Sequence, residues 1–177
     1  MRRLALALAC LSAASCGDPL GPVPSDGPPE ALHYESGGFV AVTRTVDLVG
    51  DTVVVRLQGY GPADGPVDVT RRRVPSAEQW RAFWRGVREA GVRSWPRECT
   101  NPNVLDGGGF ALTLGWGGGA RRYAYSNAYP LPGGRCSDDS YAAVERFLDG
   151  LAAVADLNYS YDALEGRGGA PTAQPVP

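Results

Sequence analysis

The sequence predicts an α+β fold, with an antiparallel sheet of about five strands and two amphipathic helices packed on one face. Two observations carry this expectation. Apolar residues alternate with other residues in runs that fold back at glycine-containing turns, and two later segments carry apolar residues at helical spacing. Val40, Val42, Val46 and Leu48 share a phase with Val53, Val55 and Leu57 across Gly50-Asp51, which predicts a hairpin of 39–49 with 52–58. Val67 to Val74 supply a third strand, and Arg71 and Arg73 in the phase of Val67 and Val69 place it at an edge. Phe110, Leu112, Leu114 and Trp116 alternate before Gly117-Gly118-Gly119, and Tyr123, Tyr125 and Tyr129 alternate after it, which predicts a second hairpin.

The first helix opens at Pro75-Ser76-Ala77-Glu78-Gln79, where Ser76 can cap free amides while Gln79 reaches back in a capping box. Trp80, Phe83, Trp84 and Val87 form its apolar stripe, read as core rather than as a ligand platform, and Gly91 ends it. Asp138-Asp139-Ser140 starts the second helix, whose stripe is Tyr141, Val144, Leu148, Leu151 and Ala155. The expected organisation is a signal peptide over 1–15, a Pro-rich tether over 16–31, one domain over 32–163 and a disordered tail over 164–177.

Composition limits what the chain can do. Its 177 residues include no Lys and no Ile, and the formal net charge is -2, which argues against a nucleic-acid partner. Because every basic chain position must then be Arg, the run Arg71-Arg72-Arg73 carries less weight as an anion site than it otherwise would.

Met1-Arg2-Arg3 followed by the apolar stretch Leu4 to Leu11 and the small residues Ala13-Ala14-Ser15 is a secretory signal pattern, too short for a permanent membrane span. Ala13-Ala14-Ser15-Cys16 resembles the lipobox of bacterial lipoproteins. The resemblance implies cleavage before Cys16, a diacylglycerol on its sulfur, and anchoring to the membrane through that lipid. Gly17 directly after the cysteine, with Asp18 one place later, favours the outer membrane over the inner by the same resemblance. Ordinary signal peptidase would accept the same Ala-x-Ser site, leaving a freely secreted protein as the alternative. With Cys10 removed and Cys16 acylated, Cys99 and Cys136 are the thiols that remain in an oxidising compartment, which predicts a disulfide between them.

The chemistry-bearing residues are few. His33 is the single histidine, placed beside the tether, which argues against a nucleophilic triad and reads as a surface residue. The carboxylates Asp138-Asp139, Asp47 with Asp51, and Glu98 near Asp106 are formal acid-base candidates that spacing does not single out from caps and turns. No cofactor or metal site is expected. Trp116, Tyr123, Tyr125 and Tyr129 form a candidate ligand surface on the second hairpin. The leading expectation is a membrane-anchored binding or structural module of the cell envelope, not an enzyme, recognising a protein or wall component. A carrier of a small apolar ligand and a carboxylate-dependent hydrolase are the alternatives.

Overall fold

A computed structural model describes residues 20–38, 42–60, 66–104, 107–138, 140–155 and 157. The expected signal peptide, Cys16 and the tail over 164–177 lie outside the described residues, as do Phe39 to Ala41, Asp106 and Asp139. The fold is α+β. Its main sheet has seven strands, not about five, in the order β4-β3-β2-β1-β6-β7-β5. These are β1 (Ala31–Gly38), β2 (Thr43–Val49), β3 (Thr52–Tyr60), β4 (Pro66–Arg73), β5 (Glu98–Thr100), β6 (Gly108–Trp116) and β7 (Gly119–Ser126). All neighbours are antiparallel except β5, which lies parallel to β7. A separate two-stranded ribbon pairs β8 (Tyr129–Leu131) with β9 (Arg135–Ser137).

Both predicted hairpins form, and β4 sits at the edge. At the β6–β7 turn Gly117 and Gly118 have φ of 63° and 81°, the left-handed pair that a two-residue hairpin needs and that side chains resist. Two strands of the main sheet were not predicted: β5, only three residues long, and β1, which joins the hairpins by pairing with β2 on one side and β6 on the other. In β1, Leu32 and Tyr34 are buried and alternate with the more accessible His33 and Glu35, but two apolar residues among glycines give a weak period-two signal. The second hairpin is also shorter than expected. Asn127 takes a left-handed φ of 57°, which ends the alternation and sends Tyr129 into β8.

Helix α1 (Ala77–Glu89) begins as predicted. The Gln79 N–H donates to Ser76 Oγ at 3.3 Å, and the Ser76 N–H donates to Gln79 Oε1 at 2.8 Å. Trp80, Phe83, Trp84 and Val87 are buried. Helix α2 (Ala142–Val154) starts later than expected, after Tyr141 and without a side-chain cap. Ser137 Oγ instead accepts the Ser140 N–H at 3.0 Å, which holds the approach. Its buried face is Ala143, Val144, Phe147, Gly150, Leu151 and Val154, so Phe147 faces the core while Tyr141 and Leu148 sit at the margin.

Rings join helices to sheet. Phe147 of α2 meets Tyr34 of β1 at 6.1 Å and Phe83 of α1 at 6.5 Å, while Trp84 of α1 meets Trp116 of β6 edge to face at 5.8 Å. Such edge-to-face pairs add to the area they bury. The segment before β1, expected as a free tether, is instead laid on this core from Leu20 onward. Leu20 is buried, Trp116 Nε1 donates to the Gly21 carbonyl at 3.0 Å, and Trp84 Nε1 donates to the Gly27 carbonyl at 2.7 Å. The Arg88 guanidinium donates to the Pro24 carbonyl at 2.6 Å.

Cys99 and Cys136 form the predicted disulfide, with Cα atoms 5.8 Å apart. Cys99 lies in β5 and Cys136 in β9. The bond ties the short edge strand to the ribbon, and closing a loop across 37 positions restricts the unfolded chain by about 4 kcal/mol in the chain-entropy model.

The helices cross where each carries a glycine. A Cβ on Gly86 would lie 2.6 Å from the Gly150 Cα, and one on Gly150 would lie 2.9 Å from both the Gly86 Cα and the Phe83 carbonyl oxygen. In an exposed helix Gly→Ala stabilises by up to about 1 kcal/mol. Here the helices must separate, so Gly150→Ala is expected to destabilise by about 1–3 kcal/mol. Chemical denaturation checks this, and an unchanged or raised midpoint would contradict the close crossing.

Candidate functional site

Strand alternation divides the sheet into two chemically different faces. One carries Leu32, Tyr34, Val46, Val55, Leu112, Leu114, Tyr123 and Tyr125, all buried. The other carries His33, Glu35, Thr45, Asp47, Arg56, Thr113 and Arg122, none of them buried. The register places Asp47, His33, Thr113 and Arg122 in one cross-strand row. In the next row Thr45, Glu35, Ala111, Ala124 and Glu98 lie side by side. A third row contains Gly37, Gly109, Ser126 and Thr100.

These rows make a trough. Ala111 and Ala124, with Gly37 and Gly109 beyond them, leave the floor low, while Glu35 and Thr43 stand on one side and Glu98 and Thr100 on the other. Three strand spacings separate Glu35 from Glu98, about 14 Å of backbone. The open groove so formed has a volume of about 530 Å³, with Arg122 and Ser126 also lining it. Alternating charge and hydroxyl groups over a flat floor suit a polar, extended ligand.

Beside the trough His33, expected as a surface residue, enters a polar chain with Asp47 and Arg56. His33 Nδ1 lies 2.7 Å from Asp47 Oδ1, and the Arg56 guanidinium donates to Asp47 Oδ2 at 3.0 Å. His33 Nε2 lies 3.7 Å from Glu35 Oε2. Asp47 thus spans an imidazole and a guanidinium, using both oxygens. Asp51, formally paired with it in the sequence, accepts instead from the Thr52 hydroxyl at 3.0 Å in the hairpin turn. Glu98 lines the trough, whereas its sequence neighbour Asp106 lies outside the described residues. Asp138 is exposed ahead of α2, and its partner Asp139 also lies outside the described residues.

The aromatic ligand surface is corrected for three of its four residues. Trp116, Tyr123 and Tyr125 are buried in the core, because the face on which they alternate is the apolar one. Their polar atoms are satisfied by backbone. Tyr123 Oη donates to the Val92 carbonyl at 3.1 Å and Tyr125 Oη to the Pro96 carbonyl at 2.5 Å. Burial pushes the phenol pKa of Tyr34, Tyr123 and Tyr125 up, so none serves as a base near neutral pH. Tyr129 is half-buried and meets Tyr141 edge to face at 4.8 Å. Both line a pocket of about 200 Å³ with Tyr34, Ser36 and Phe110. The Tyr141 hydroxyl is pushed up to about 12 by burial, then by Tyr34, Tyr129 and Glu145.

Among the described residues no group of three or more His, Cys, Asp or Glu side chains is arranged to hold a metal ion. No helix of the described residues is long and apolar enough to cross a membrane. No family model, curated protein or solved structure matches this chain.

Proposed function

We propose that the protein is a cell-envelope lipoprotein, anchored through lipid on Cys16, whose sheet binds a polar envelope component in the Ala-floored trough. The observation that carries the binding reading is the trough itself, in which Ala111 and Ala124 lie between Glu35 and Glu98. Both helices cover the opposite face. Contacts of Trp84 with Trp116 and of Phe147 with Tyr34 support this arrangement, because Trp116 and Tyr34 share the apolar face. The trough face then stays solvated along β1, β6 and β7.

The anchor reading rests on Arg2-Arg3, the apolar stretch and Ala13-Ala14-Ser15-Cys16. The Cys99–Cys136 bond supports it, since each of these cysteines already has its partner and Cys16 is left available for acylation. By the lipobox resemblance the outer membrane is the favoured address. A hydrolase reading loses ground because Asp47 is held by His33 and Arg56. The apolar-carrier reading loses ground because three of the four aromatic residues on which it relied, Trp116, Tyr123 and Tyr125, are packed core.

Cys16→Ser should release the protein from membranes and abolish incorporation of labelled fatty acid, whereas equal labelling of wild type and variant would overturn the anchor. The trough is tested separately. Ala124→Trp, on the accessible face, should raise the floor and weaken co-sedimentation with purified cell-wall sacculi at least about tenfold, a loss of roughly 1.4 kcal/mol. Its denaturation midpoint should stay within error of wild type. Undiminished sedimentation, or no sedimentation of wild type, would count against a wall component as the occupant.

A further inference from the structure

The described chain is fastened down unusually close to the proposed lipid. Leu20 is buried and the Gly21 carbonyl is held by the Trp116 indole, so three residues lie between the fold and Cys16, a span of at most about 14 Å of extended chain. That attachment lies at one particular end of the sheet. Gly21 sits against Gly117, at the β6–β7 turn. Register fixes what else is at that end. Ala31 pairs with Gly115, Val49 with Thr52 and Val53 with Arg73, so the β2–β3 turn and the last residues of β4 point the same way.

Two exposed valines occupy that end. Val49 is 61% and Val74 is 63% exposed, against 40% for Val104 and 37% for Tyr141. Val49 pairs with Thr52, and Val74 follows Arg73, which pairs with Val53, so the valines are about two strand spacings apart, roughly 10 Å. Arg72 is exposed and Arg73 half-buried immediately beside Val74, and they project to opposite faces of the edge strand. Asp51 lies in the β2–β3 turn, where its carboxylate accepts from the Thr52 hydroxyl. Glu30, at the far side of this end, holds the Gly118 N–H through both oxygens at 3.1 and 3.0 Å.

Resting on the reading of Cys16 as the lipid site, we propose that this end of the sheet lies on the bilayer, with Val49 and Val74 at the interface and Arg72 and Arg73 on anionic phospholipid headgroups. Apolar side chains flanked by arginine suit the headgroup boundary, where each basic residue adds to attraction for anionic lipid. The short connection keeps the patch at high local concentration near the surface, so weak contacts suffice to orient the domain. The trough opens near the other end of the strands, where Gly37 pairs with Gly109 and Ser126 with Thr100. It therefore faces away from the membrane, toward a polymer or protein in the space beyond.

The test uses the chain from Cys16 onward, coupled through the Cys16 thiol to a maleimide lipid in phosphatidylglycerol-containing vesicles. Acylation in the cell is thereby removed from the question and is judged by fatty-acid labelling alone. Hydrogen exchange at Val49 to Thr52 and at Arg73 and Val74 should slow at least about threefold relative to the uncoupled protein, while Glu98 to Thr100 stays unchanged. The double variant Arg72→Glu, Arg73→Glu should lose the slowing. Equal exchange in coupled and free protein, slowing at Glu98 to Thr100 instead, or slowing that survives the double variant would each overturn the proposal.

Discussion

Two buried indole N–H groups determine how this chain is arranged. Trp84 and Trp116 meet edge to face in the core, and burial removes the water that would otherwise accept from their nitrogens. Each finds a backbone carbonyl in the segment before β1, Gly27 for Trp84 and Gly21 for Trp116. A proline- and glycine-rich stretch that cannot build a core of its own becomes a strap across one. Leu20 is buried at the start of the strap, and β1 follows directly into the centre of the sheet.

From that arrangement comes the asymmetry on which the functional reading rests. On the apolar side lie buried rings of β1, β6 and β7, and rings of both helices contact Tyr34 and Trp116 among them. The Gly86–Gly150 crossing lets the helices approach closely. On the other side, alanines and glycines keep the sheet surface low between carboxylates, with the His33–Asp47–Arg56 chain at its margin. The strap begins at the opposite end of the strands from the trough, so the proposed anchor and the proposed binding surface are separated along the strand direction.

Much of the fold was legible because its signals are periodic. The two hairpins, the edge position of β4, the Ser76–Gln79 capping box and the α1 core stripe follow from local pattern. The disulfide followed from counting cysteines once Cys16 was assigned to lipid. Other features depend on contacts distant in sequence. The role of β1 depends on two partner strands, and the strap depends on indoles 57 and 95 positions away. The ligand-surface reading of Trp116, Tyr123 and Tyr125 failed because alternation shows that residues share a face without showing which face is covered. The trough is not legible in the sequence for a related reason. Its floor is Ala and Gly, residues that carry no chemistry until register sets them between Glu35 and Glu98.

The strap is the feature most open to direct measurement. A chain beginning at Glu30 retains every strand and both helices but lacks the carbonyls of Gly21 and Gly27 and the side chain of Leu20. Loss of two hydrogen bonds at about 1 kcal/mol each and of one buried leucine at about 1.5–3 kcal/mol sets the expected cost. Denaturant unfolding of this chain against one beginning at Cys16 should therefore show a destabilisation of about 3–5 kcal/mol. Coincident unfolding curves would mean that residues 20–29 are a tether after all, and would contradict the account.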